Sequence, residues 1–183
     1  MEYEQIIYTV ADRIATIILN RPERLNAWTR VMMKEVLQAL DEADRDDGVR
    51  VIIFTGAGRA YCAGAELAAG GFTTSDTSET KKPHRDSAGQ ITLRMFNMKK
   101  PLIAAINGNA VGVGITMTLA MDIRIASESA KKIGFVFDRR GVVPEGCCTY
   151  FLPRIVGISR AAELILTGRL FSAREGLEMG LFS

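Results

Sequence analysis

The hydrophobic and polar positions of this chain follow two rhythms, and the places where one gives way to the other mark its elements. Residues 4–10 and 13–19 are rich in Ile, Val, Thr and Tyr around Ala11-Asp12, the pattern of two strands joined by a tight turn. Asn20-Arg21-Pro22 then breaks the second strand. From Thr29 the apolar residues Met32, Val36, Leu37 and Leu40 recur with a helical period, and the charged run DEADRDDG closes that segment with Gly48 as its stop. VRVIIFTG follows as a short apolar run, which predicts a strand buried on both faces. Strand, helix and strand in that order predict a crossover unit and a parallel sheet.

Next comes GAGRAYCAGAEL, dense in Gly and Ala, and then a polar region, residues 70–87, expected to be a mobile loop. Helical spacing returns over 88–98 through Ile91, Met95 and Phe96 and ends before Lys99-Lys100-Pro101. LIAAIN reads as a second buried strand, and INGNAVGVGITMTLAMDI as a glycine-rich turn leading into a buried helix. A further strand is expected at 122–126, helices at 146–156 and 159–167, and a last helix capped by Ser172 and stopped at Gly180. No repeat or linker divides the chain, so residues 1–183 read as a single domain. The apolar ending Leu181-Phe182 suggests that this domain is C-terminally incomplete, unless another chain covers it.

Charge narrows the partners. Twenty-three Lys and Arg against 21 Asp and Glu leave a formal net charge of +2, which argues against nucleic acid or a membrane surface as the partner. The N-terminal segment lacks the pattern of a signal peptide, and no stretch approaches the roughly 20 apolar residues of a membrane span, so a cytoplasmic location is expected. Cys62, Cys147 and Cys148 have neither zinc-ligand spacing nor disulfide geometry and read as reduced packing residues, with no metal site.

The candidate chemistry lies in the two strand-then-glycine segments, VIIFTG into YCAGAEL and LIAAIN into GNAVGVG. Without a Cβ, glycine lets main-chain N–H groups face a cavity, and two such turns side by side could aim two donors at one oxygen that becomes anionic during reaction. On spacing alone the same turns serve equally as tight connections. GVGITM lacks the third glycine of a dinucleotide fingerprint, and there is no phosphate-binding Gly-Lys-Ser/Thr, so no nucleotide cofactor is expected.

NRPERLNAWT, GAGRAYCAGAEL, KKPLIAAINGNAVGVG and RRGVVPEGCCTYFLPRIVG, in this order, resemble the crotonase family of enoyl-CoA hydratases and isomerases, from about residue 5 to the end. The resemblance implies an α/β fold, the ββα superhelix or spiral of that family, here lacking the C-terminal helices. It implies main-chain donation to a thioester oxygen from Ala65 and Val113, the latter framed by Gly112 and Gly114. Arg24 and Leu25 match the stretch that meets the phosphate and pantetheine portions of coenzyme A, and Ala63 and Glu66 border its nucleotide end. Arg24 reads equally as a solvated surface charge.

Hydratases of this family use two glutamates. At the matching positions this chain has Thr116 and Phe137, which are left to line the substrate site. One acid remains where double-bond-shifting members carry theirs, Glu145 in VVPEG, although an acid near a helix start also serves the dipole alone. Asp138 and Asp122 are the runners-up for the base, and His84 is given no role. The implied reaction is a Δ3-Δ2 enoyl-CoA isomerisation, with hydration or another acyl-CoA reaction as the alternative and a non-catalytic acyl-CoA binder or scaffold as a third. Coenzyme A is part of the substrate, no separate cofactor is expected, and family members that keep the C-terminal helices form homotrimers, often paired as hexamers.

Overall fold

A hairpin opens the fold: β1 (Ile6–Ala11) and β2 (Ile14–Leu19) pair antiparallel across Asp12-Arg13, whose φ angles of 50° and 65° give the turn a twist that matches the strands. The computed structural model describes residues 3–66 and 86–183. The expected mobile loop and His84 lie outside the described residues, except that Asp86 and Ser87 begin a helix.

β3 (Val51–Gly56), β5 (Leu102–Ile106) and β7 (Ile123–Ala126) extend the hairpin as parallel strands, giving a five-stranded sheet in the order β1-β2-β3-β5-β7. The register aligns Ala15 with Ile52, Ile17 with Phe54 and Ile52 with Leu102, so the fully buried side chains of three strands share one face. β3 is fully buried on alternate residues only, the others being half-buried, which corrects the expectation of two fully buried faces.

α1 (Arg30–Arg45) starts where the Thr29 hydroxyl accepts from the Met32 amide at 3.0 Å, and it buries Met32, Val36, Ala39, Leu40 and Ala43 along one stripe. α2 (Ser87–Phe96) is capped by Asp86 and buries Ile91, Thr92 and Met95. α4 (Cys148–Val156), α5 (Ile158–Thr167) and α6 (Ala173–Glu178) follow within two residues of their expected limits at most helix ends, and Ser172 and Glu175 form a reciprocal capping box at α6.

A second, three-stranded parallel sheet, β4 (Ala60–Cys62), β6 (Asn109–Val111) and β8 (Ile133–Gly134), was not anticipated. Strands of two or three residues are too short to carry a periodic signal. The buried helix expected after GNAVGVG is also smaller: α3 (Val113–Thr116) is a single turn that passes into a 3₁₀ turn over Met117–Ala120. Its dipole is correspondingly small, and its contribution is the direction of its first N–H groups.

Leu181 is 1% and Phe182 6% exposed, the Phe182 ring lies on Gly176 of α6, and Arg124 donates to the Leu181 carbonyl at 3.0 Å. A side chain at position 176 would occupy the place of the ring. Among the described residues no helix is long and apolar enough to cross a membrane.

Candidate active site

Two chain segments meet at the C-terminal ends of β4 and β6. These strands run parallel with Cys62 opposite Ala110, and Ala65 and Val113 each lie three residues further on. A Cβ built on Gly112 would stand 3.9 Å from the Gly64 Cα, and one on Gly64 would stand 3.1 Å from the Val111 carbonyl oxygen, so the two glycine turns lie against each other. Gly112 has φ 56° and ψ −124°, a conformation open essentially to glycine, and it turns the chain directly into α3.

The two amides are both left over by the hydrogen bonding around them. Ala65 forms a parallel bridge with Trp28, in which Trp28 N–H donates to the Gly64 carbonyl and Glu66 N–H to the Trp28 carbonyl, both at 2.8 Å. The N–H of Ala65 itself therefore points away from Trp28. Val113 opens α3, where an N–H has no partner within the helix. Among the described residues neither amide donates to a protein oxygen.

The NRPERLNAWT segment is stitched to the same turn. Ala63 N–H donates to the Leu25 carbonyl at 3.0 Å, while Glu66 pairs with Arg21 at 3.0 Å and with Arg24 at 3.1 Å. Arg21 and then Arg24 hold the Glu66 carboxyl below the usual carboxylate range. Arg24, with half its side chain exposed, keeps a face toward solvent. Arg24, Leu25, Ala63 and Glu66 are thus brought together along one edge of the turn.

Arg21 and Asn26 carry this arrangement and had not been singled out. Asn26 is fully buried at φ 55°, accepts from the Arg21 amide at 2.8 Å, and donates to the Ala57 and Ala60 carbonyls at 2.9 and 2.8 Å. Replacing Asn26 with alanine would leave those buried groups unpaired. The expected loss is about 2–3 kcal/mol, read as a fall in melting temperature of roughly 4–12 °C in a thermal unfolding experiment.

Thr116, at the C-terminal end of α3, is fully buried and donates to the Glu145 carboxyl at 3.2 Å. A rise of 1.5 Å per residue puts Thr116 about 5 Å along the helix from Val113, so Glu145 lies one turn from the free amide. Burial first, and then the adjacent Asp86 carboxylate, push the Glu145 carboxyl up to about 8, while the Thr116 hydroxyl pulls slightly the other way. The field of Glu145 also reaches Cys62 and Cys148, whose thiols burial pushes up to about 12. Cys62 and Cys148, buried and outside any disulfide, are inert packing groups at this elevation.

The remaining candidates are Phe137, Asp138 and Asp122. Phe137 is 6% exposed and belongs to the hydrophobic core. Asp138 is exposed on a 3₁₀ turn beside Gly168, and Asp122 accepts from the Leu102 amide at 2.8 Å, a structural tie between β5 and β7. Asp86, which sequence reasoning passed over inside a polar stretch, faces Glu145 directly. An Asp two residues before the first helical apolar position was the available signal, and it indicates only a cap. No cluster of three or more His, Cys, Asp or Glu suited to a metal ion occurs among the described residues.

Comparison with known proteins gives the family. The enoyl-CoA hydratase/isomerase family model matches residues 9–183. The enoyl-CoA hydratase ACTT3 of Alternaria alternata is 49% identical over 173 residues, covering 94% of this chain and 57% of its own length. The 1,2-epoxyphenylacetyl-CoA isomerase of Escherichia coli is 36% identical over 186 residues, covering 97% of this chain and 68% of the relative. A crystal structure of an enoyl-CoA hydratase from Bacillus anthracis superposes with a TM-score of 0.86 at 35% identity, over 98% of this chain and 69% of that one. The chain spans somewhat more than half the length of the Alternaria relatives it matches. With two glycine turns joined at parallel strand ends, a partly buried acid one helical turn away, and these matches over nearly its whole length, the chain belongs to the enoyl-CoA hydratase/isomerase (crotonase) family.

Proposed function

We propose that this chain binds an acyl-CoA and moves the double bond of a 3-enoyl-CoA into conjugation with the thioester. The observation that carries this reading is one largely buried acid, Glu145, held at about 8 beside two undirected main-chain N–H groups. Thr116 and Phe137 stand where hydration would use carboxylates.

In this reading the thioester carbonyl sits between the N–H groups of Ala65 and Val113. Ionised Glu145 takes a proton from C2, the electron pair moves onto the carbonyl oxygen to give a dienolate, and the same carboxyl returns the proton to C4. The C3–C4 double bond is lost and a C2–C3 double bond forms, with no net change in atoms. Each amide donor to the developing oxyanion contributes roughly 2.7–4 kcal/mol in comparable sites. A carboxyl poised near neutral pH is well matched to taking and returning one proton. Arg24 and Leu25 on one side, and Ala63 and Glu66 on the other, form the edge along which coenzyme A would lie.

Hydration is the second reading, favoured by two observations. The Alternaria relatives are named enoyl-CoA hydratases, and Asp86 supplies a second carboxyl beside Glu145. One experiment separates them: incubate the protein with a 3-enoyl-CoA and with a 2-enoyl-CoA, follow conjugated thioester absorbance, and identify products by mass. Isomerisation gives rising absorbance and an unchanged mass from the 3-enoyl substrate. Gain of one water from the 2-enoyl substrate overturns the isomerase reading, and binding without turnover of either leaves the acyl-CoA binder. Assembly into trimers or hexamers, tied in the family to the C-terminal helices, belongs to the same proposal and is measured by light scattering.

A further inference from the structure

Asp86 and Glu145 come from distant parts of the chain, and their meeting has an architecture of its own. Asp86 caps α2: its Oδ1 accepts from the Gly89 amide at 2.6 Å. The same oxygen accepts from the Gly146 amide at 3.2 Å, next to Glu145 and 60 residues away in sequence. Gly146 directly follows Glu145, so this bond sets the Asp86 carboxyl against the Glu145 segment, and Asp86 is the neighbour that joins burial in raising Glu145. Two main-chain donors already face Asp86, which favours placing a proton held at this pair on Glu145.

We propose that Asp86 and Glu145 act as a unit holding one proton between them, with Asp86 a positioning residue that sets when Glu145 is free to take a proton from substrate. Its kinetic consequence rests on the proposal that Glu145 is the base. The other groups facing Glu145 are the Thr116 hydroxyl from α3 and the Cys62 and Cys148 thiols from β4 and α4. None of these carries a negative charge near neutral pH, so among the described residues Asp86 is the anion adjacent to Glu145. Burial and that anion together raise Glu145, in agreement with the geometry.

An Asp that merely caps a helix would be replaced without consequence for Glu145. Two variants separate the roles. Asp86→Asn keeps an oxygen for the Gly89 and Gly146 amides, and Asp86→Ser keeps a good cap; both remove the charge. The intact chain carrying 13C-labelled glutamate is titrated by NMR, with the Glu145 resonance assigned by its loss in Glu145→Gln. Both variants are expected to melt within a few degrees of the parent and to lower the Glu145 midpoint by at least one pH unit. The ionised fraction at pH 7 would then rise from about a tenth to about half or more. The acidic limb of the kcat/KM profile should move by the same amount. A midpoint unchanged in both variants overturns the pairing and leaves Asp86 a cap. A moved midpoint with an unmoved kinetic limb upholds the pairing and overturns Glu145 as the base.

Discussion

Glu145→Gln is expected to lower turnover of a 3-enoyl-CoA by about 10²–10⁴-fold while leaving acyl-CoA affinity within a few-fold of the parent. Glutamine keeps the volume of the side chain and can still accept from the Thr116 hydroxyl, so the two glycine turns and the edge at Arg24 and Glu66 are unaffected. What it lacks is the ability to take and return a proton. Steady-state assays and acyl-CoA titration of the variant separate the two effects.

The same substitution has an opposite effect on stability. Glu145 rises from an ordinary 4.5 to about 8 on folding, so the folded chain binds this proton more tightly than the unfolded chain does. Its contribution is fully present below about pH 4.5, is lost progressively as pH rises, and is gone above about pH 8. The loss across that window is at most on the order of 5 kcal/mol, because the partly buried group must then either ionise beside Asp86 or unfold. Glu145→Gln removes that dependence. Melting temperatures measured from pH 5 to pH 9 should therefore diverge, with the variant ahead by on the order of 10 °C at the alkaline end. Parallel curves would show that Glu145 holds no displaced proton in the folded chain. A site that destabilises its own fold at working pH is a common consequence of tuning an acid for chemistry.

The second large effect is expected at Gly114. A Cβ there would stand 2.9 Å from the Cys62 Cβ and would overlap the Cys62 carbonyl oxygen, both fixed parts of β4. Gly114→Ala must push α3 away from β4, the strand that leads to Ala65, and so separates the two amides. The expected cost is about 1–3 kcal/mol of stability together with a fall of about 10²–10³-fold in kcat, equivalent to removing one oxyanion donor. The control is Val113→Ala, which alters a side chain and keeps the N–H; it should retain most of its turnover. Equal losses in both variants would mean that the Val113 side chain matters and that the amide geometry does not.

The elements with a sustained rhythm were legible along the chain. β1, β2, α1, β3, β5 and β7 announce themselves because one face of each packs on the core, and core contact imposes a period of 2 or 3.6 on the residues. Glu145, Ala65 and Val113 were singled out on motif resemblance, and periodicity alone would have named none of them. The second sheet was not legible, since β4, β6 and β8 are held by neighbours distant in sequence and by turns such as Gly112. Asn26 was missed as well, because a buried Asn differs from a surface Asn only in what lies around it.

The sequence by itself determined the apolar faces, the breaks at Pro22, Gly48 and Pro101, and the two small-residue turns without side chains to obstruct them, all of which are set by residues within a few positions of one another. Only the tertiary structure decided that Gly64 and Gly112 lie against each other, that among the described residues the Ala65 and Val113 amides have no protein acceptor, and that Asp86 lies beside Glu145. The reason is physical. A displaced proton needs burial and a neighbouring charge, and a shared oxyanion site needs two strands in register, so each is a property of segments joined across long loops and is written in no single stretch of the chain.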